Sequence, residues 1–222
     1  MGDRGASLMG SLLPSGVMVA ELFGTPPERA LLPKEAATVV EVSDRRRADF
    51  TAGRHCVRQA LRDLGLGAVP VLTGPDGEPI WPAGVVGSIS HCADYAVAAV
   101  ARRSTARAIG VDAEPAEALP DGVLESITSV PERARVSALQ ESDGSVHWDR
   151  AIFSIKESCY KTWYPIERRW LGFDDVDVRI DGRARAFEAR VLESARRTDF
   201  PEVVRGRWSS AEGLIVTALV LD

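Results

Sequence analysis

Apolar positions recur along the 222-residue chain with two different periods, and these periods divide it into helices and strands. Between Ser43 and Gly65, the residues Phe50, Val57, Ala60, Leu61 and Leu64 recur at spacings of three, four and seven, which predicts a helix with one apolar face. Ser43 and Asp44 supply its cap and Gly65 its stop. The Gly- and Pro-dense stretch "TGPDGEPIWPAG" (73 to 84) predicts loop. Short strands follow at Val85 to Ser90 and Tyr95 to Ala101, with "HCAD" as the turn between them. In "ARAIGVDAE", Ile109, Val111 and Ala113 alternate with Gly110, Asp112 and Glu114, a strand pattern that Pro115 stops.

Residues 115 to 147 read as loop with short helices near Val123 to Ser129 and Pro131 to Ala138. A second long helix is predicted from Trp148 to Tyr164, ending before Pro165. Strand patterns then occupy Val176 to Ile180, Ala186 to Leu192, Val204 to Trp208 and Leu214 to Leu221. The two halves rhyme: "SISHCADYAVAAV" (88 to 100) stands to the first helix as "WSSAEGLIVTALV" (208 to 220) stands to the second. The expected architecture is α+β, with two similar subdomains, 1–104 and 105–222, related by a pseudo-twofold. Each is a long helix on a small antiparallel sheet, and a ligand cleft lies between them.

Composition narrows the function classes. The length supports a substantial core without staples. A net charge of -5 argues against a dedicated nucleic-acid binder. The first 24 residues carry Asp3 and break their apolar run with Gly, Ser and Pro, which spoils a signal peptide or membrane span, and Ala6 fails the myristoylation pattern. The three cysteines, Cys56, Cys92 and Cys159, lack metal-site spacing and read as reduced thiols. A cytoplasmic protein is expected.

Three groups of residues could carry chemistry. Strand period puts Asp112 and Glu114 on one face, where two carboxylates repel unless a cation or proton sits between them. Oxygen ligands of this kind suit Mg²⁺ or Mn²⁺, and only three histidines argue against zinc. A solvated strand face is the alternative. On the second helix, Glu157 and Lys161 are four apart, the spacing of a surface pair that contributes about 0.2–0.5 kcal/mol. Phe153, Tyr160, Trp163 and Tyr164 crowd the same half of the cylinder. A carboxylate there could hold a metal while Lys156 and Lys161 hold phosphate oxygens. On the first helix, Arg46, Arg47, Arg54 and Arg58 form a basic sector suited to phosphate, unless Asp49 and Asp63 simply neutralise it. His91 follows "GSIS" in a turn, as a phosphate contact or a plain surface histidine. A phosphate or diphosphate ligand accounts for all three groups.

Taken in order, "GSISHC" (87 to 92), "GVDAEP" (110 to 115) and "FSIKESCYKTWYP" (153 to 165) resemble a 4'-phosphopantetheinyl transferase of the Sfp type, in its EntD-like actinobacterial branch. "RRRADFTAGRHCVRQAL" and "HWDRAIF" add to the likeness, which covers almost the whole chain. The resemblance implies transfer of the phosphopantetheine arm of coenzyme A to a serine of an acyl or peptidyl carrier protein. The carriers belong to fatty acid, polyketide or nonribosomal peptide synthesis, and the second product is adenosine 3',5'-bisphosphate. It implies a monomer that binds coenzyme A with Mg²⁺, or Mn²⁺ in its place, between two α/β halves. Position by position, it makes Asp112, Glu114, Glu157 and the Ala113 carbonyl the metal site. Asp112, Glu157 and Lys161 become catalytic, with Lys156 and Lys161 on phosphates. Arg46, Arg54, Ser90 and His91 fall at the nucleotide end. The loop Thr73, Gly74, Pro75 and Asp76 lies where the family lays the adenine; having no lysine, it is expected to use backbone contacts. Two alternatives are a non-catalytic coenzyme A or carrier-binding module and a Mg²⁺-dependent nucleotide diphosphate hydrolase, which would use water as acceptor.

Overall fold

The computed structural model describes residues 7–27, 30–192, 195 and 199–222. In chain order its regular elements are β1 (Met18–Phe23), α1 (Pro33–Ala36), α2 (Asp44–Asp63), β2 (Leu72–Thr73), β3 (Pro79–Ile80), β4 (Val85–Cys92), β5 (Tyr95–Arg102), β6 (Ala108–Pro115), α3 (Val123–Ile127), α4 (Val130–Ser142), α5 (Trp148–Glu167), β7 (Val176–Asp181), β8 (Ala186–Val191), β9 (Val203–Ala211) and β10 (Leu214–Leu221). The strands form a sheet β1-β5-β4, a sheet β6-β10-β9-β8-β7 and a separate pair β2-β3. This is the expected α+β arrangement of two sheet-bearing halves. No described helix is long and apolar enough to cross a membrane.

Each long helix lies on its own sheet. Ser43 caps α2, its hydroxyl accepting from the Arg46 N–H at 3.3 Å. The helix buries Cys56, Val57, Ala60 and Leu61 against Ala96, Ala98 and Val100 of β5. In the second half, α5 packs Ile155, Cys159 and Trp163 with Ile215 and Leu219 of β10. A third apolar layer joins the halves, with Val97 and Ala99 meeting Ile109, Val111 and Val216 beneath Met9 and Leu12.

The edges of the two sheets also meet. The Val111 N–H donates to Ser88 Oγ at 3.1 Å and the Ala113 N–H to Ser90 Oγ at 3.2 Å. Side-chain hydroxyls thus replace a backbone ladder between β4 and β6, and satisfy amides that the seam would otherwise strand.

Three expectations need correction, and one strand had none. The segment 73 to 84 is not all loop: Leu72 and Thr73 pair with Ile80 and Pro79. The Gly74 N–H reaches Glu78 O at 2.7 Å, so turn residues close a hairpin too short for a strand pattern to reveal. Strand β4 runs to Cys92, because Ala93 takes a φ of 46° and closes a two-residue turn with Asp94. Helix α5 passes Pro165 and ends at Glu167, where Arg168 takes φ 52° and its N–H returns to Tyr164 O. A proline in the last turn removes a single helical hydrogen bond, to the Lys161 carbonyl, and this end of the helix tolerates the loss. Strand β1, which no sequence pattern announced, pairs with β5 at the outer edge.

Gly110 sets how close α5 comes to β6. A Cβ there would stand 1.9 Å from Ser158 O and 2.2 Å from Thr162 Oγ1. Gly110→Ala is therefore expected to push the helix off the strand, destabilising the fold by about 1–3 kcal/mol. Thermal denaturation would read this as a lowered midpoint, and an unchanged midpoint would show that the helix yields without cost.

Candidate active site

The cleft between the halves has a volume of about 450 Å³. Residues 76 to 89 line one wall, and α5 supplies Glu157, Tyr160, Lys161 and Tyr164 to the other. At the seam beside it stands Asp112, 3% exposed. Its Oδ1 accepts from Lys161 Nζ at 2.7 Å and from Ser90 Oγ at 2.9 Å, and its Oδ2 from Ser154 Oγ at 2.8 Å. Ser154 is held in turn by Thr217, the two hydroxyl oxygens standing 3.0 Å apart. Lys161 Nζ also reaches Ser90 Oγ at 3.1 Å and Val111 O at 3.2 Å, so one ammonium spans both sheets.

The carboxylates act on one another. Burial pushes the Glu114 carboxyl above its ordinary range, and the charge of Asp112 raises it further, while Arg150 at 2.9 Å opposes both. Burial and Asp112 likewise raise Glu157, against the pull of Lys161. Ala113 is buried between Asp112 and Glu114 and spends its N–H on Ser90. Among the described residues, no group of three or more acidic, His or Cys side chains is gathered closely enough to cage a metal. Mg²⁺ does not need a cage, since it is commonly held by one or two carboxylates, water and substrate phosphates. The donor chemistry of Asp112, Glu114 and Glu157 fits that mode.

The other expected residues divide. His91 lies near enough to Asp112, Lys161 and Arg46 for their charges to act on it, although burial is the largest influence and lowers its pKa. It also stands 3.9 Å from Asp49. Arg46 is exposed on the first turn of α2, and its charge acts on both His91 and Arg54. Arg54 is committed elsewhere: its Nε donates to Val71 O at 2.6 Å and its Nη2 to Thr73 Oγ1 at 3.3 Å, and it stacks 4.2 Å over Phe50. Burial brings its pKa down to about 10. Arg58 and Arg47 are also engaged, with Glu35 at 2.7 Å and Val40 O at 2.9 Å.

In the β2–β3 hairpin, Gly74 and exposed Pro75 lead to Asp76, whose carboxylate accepts from Tyr164 OH, and Glu78 accepts from Arg168 at 3.0 Å. The hairpin thereby leans across the cleft onto the end of α5. Lys156 does not line this cleft. It is buried on another side of α5 and paired with Glu132 at 2.9 Å.

Arg150 and Ser154 are not among the sequence candidates, and Tyr164 figures there only as one of the aromatics. Their signal is a polar stripe at helical period, 150, 154, 157, 161 and 164, which turns about 100° per residue and returns to one face.

Comparison with known proteins fixes the family. Residues 34–101 match the model of the 4'-phosphopantetheinyl transferase N-terminal domain, and residues 108–212 that of the 4'-phosphopantetheinyl transferase superfamily. The chain belongs to the 4'-phosphopantetheinyl transferases. This transferase is 41% identical over 225 residues to 4'-phosphopantetheinyl transferase PptT of Mycobacterium tuberculosis, covering 97% of this chain and 98% of the relative. It is 41% identical over 222 residues to 4'-phosphopantetheinyl transferase Svp of Streptomyces mobaraensis, with 96% and 89% covered. With enterobactin synthase component D of Salmonella typhi it shares 36% over 169 residues, 70% of this chain and 67% of the relative.

Proposed function

We propose that this transferase moves the 4'-phosphopantetheine arm of coenzyme A onto a serine of acyl or peptidyl carrier proteins, acting in the cytoplasm as a monomer of two halves divided near residue 104. The observation that carries the reading is the convergence of Asp112, Lys161 and Ser90 at the seam of the two sheets, beside Glu157 and the cleft. In the reaction the serine oxygen bonds to the phosphorus that bears the pantetheine arm. The bond from that phosphorus to the bridging oxygen breaks, and the oxygen leaves with its electron pair on adenosine 3',5'-bisphosphate. Lys161 places positive charge on the diphosphate. Glu157, raised by burial and by Asp112, accepts the serine proton and passes it to solvent. Asp112, Glu114 and Glu157 would hold Mg²⁺, or Mn²⁺ in its place, which would supply charge neutralisation to the leaving oxygen. Arg46, His91 and Ser90 face the nucleotide end, and the 73–76 turn, held by Arg54 through Thr73, lies against the base.

Intact-mass analysis of apo-carriers incubated with the protein, coenzyme A and Mg²⁺ tests this. The carriers are expected to gain one phosphopantetheine each, and serine-to-alanine carriers none. Cleavage of coenzyme A without any carrier would instead mark a hydrolase. Arg46→Ala and His91→Ala are expected to weaken coenzyme A more than dephospho-coenzyme A. A lost charged contact of about 1.5–3 kcal/mol corresponds to roughly tenfold to hundredfold in calorimetric Kd. Equal losses for both ligands would remove these residues from the 3'-phosphate.

A further inference from the structure

We infer that Lys156 is a positioning residue of the transfer reaction, a buried tie that holds three chain segments against α5 beside Glu157, and not a phosphate contact. The inference rests on the proposed role of Glu157. An ammonium has three N–H donors, and all three of Lys156 are spent inside the protein; Lys161 spends its three as well, but it lines the cleft with its side chain 26% exposed, whereas Lys156 does not line it. Lys156 Nζ donates to Ile127 O at 2.8 Å, to Phe173 O at 2.8 Å and to the Glu132 carboxylate at about 3 Å. Its side chain is 1% exposed and that of Glu132 2%.

Glu132 extends the tie. It accepts the Val178 N–H at 2.9 Å and the Ser129 N–H at 2.8 Å, fixing β7 and the first turn of α4. The carbonyl that Lys156 holds at Phe173 belongs to the segment 170–173, which faces Glu157 and Tyr160 across a crevice of about 140 Å³. Phe173 packs on Phe153 at 5.9 Å and Trp170 on Tyr160 at 5.0 Å. Helix geometry agrees, since a residue next to Glu157 is rotated about 100° from it and leaves the polar stripe.

Two variants test this. Lys156→Met leaves Glu132 buried without its cation, so it is expected to melt well below the parent. Adding Glu132→Gln removes the second charge, and the double variant is expected to melt above the single one. The double variant should bind adenosine 3',5'-bisphosphate within about twofold of the parent, because no phosphate contact is missing. It should also lose about tenfold in kcat with KM for coenzyme A little changed, because the wall beside Glu157 is no longer held. Nucleotide binding weakened tenfold in the double variant would make Lys156 a phosphate contact and overturn the inference. A double variant no more stable than the single, or one with full kcat, would overturn it too. Should the parent protein transfer nothing to any carrier, the functional reading fails, while melting and nucleotide binding still decide whether Lys156 is a tie.

Discussion

Asp112→Asn is expected to leave the chain folded and to lower phosphopantetheine transfer about 10²- to 10³-fold, the scale on which one preorganised electrostatic group acts. The asparagine keeps the shape of a side chain that is 3% exposed. Ser154, which now donates to Asp112, can turn its proton toward Thr217 and accept from the new amide instead. Lys161 loses an ionic partner but keeps Ser90 Oγ and Val111 O, and its side chain is already 26% exposed. Stability should therefore change little while the charge at the seam disappears. In the parent, a chelator is expected to abolish transfer, and Mg²⁺ or Mn²⁺ to restore it. In the variant, added metal should not recover the rate. Initial rates of holo-carrier formation, followed by chromatography, decide the matter. An Asn variant that turns over at the parental rate in chelator would reduce Asp112 to a structural seam residue.

Glu157→Gln is the second large effect, expected at about 10²- to 10⁴-fold in kcat, the range for loss of a general base. Burial and Asp112 both oppose the charge on Glu157, and Lys161, one turn along α5, is what favours it. Glutamine has the same length, removes the proton acceptor and relieves the repulsion from Asp112. Metal-free coenzyme A should bind the variant at least as tightly as the parent, since a negative charge has left the neighbourhood of a diphosphate. A rate within tenfold of the parent would transfer the proton-accepting role to another group.

Much of this site could be read from the chain, and the residues that could not share one property. The Asp-x-Glu of β6 and the Glu157–Lys161 spacing are local, so strand and helix period place them without tertiary knowledge. The rhyme of two helix-and-hairpin halves was legible for the same reason. The partners of Arg54 and Lys156 are not legible in the same way, because they are distant acceptors. Arg54 turns to Val71 and Thr73, and Lys156 to Ile127, Glu132 and Phe173. Nothing in the spacing of charges tells a phosphate from a backbone carbonyl, since both are oxygen acceptors. Helical angle does separate Lys156 from Glu157 by about 100°, which is legible in the sequence. Strand β1 carried no alternating pattern, and its pairing with β5 is non-local.

The seam between β4 and β6 carries information that an ordinary ladder would not. Backbone pairing repeats along a strand and tolerates slippage, because every residue offers the same groups. Here the acceptors are two hydroxyls, at Ser88 and Ser90, facing the amides of Val111 and Ala113. Sliding β4 by two residues in one direction brings Val86 to a place that needs an acceptor, and sliding it in the other brings Cys92, whose thiol accepts weakly. Either slip strands or starves a buried amide, at about 1–3 kcal/mol, and moves Ser90 roughly 6.6 Å along the strand, away from Asp112. The offset between the half that would grip the nucleotide and the half that would grip the metal is thus written in side-chain identity, and the same two hydroxyls reject its neighbouring values.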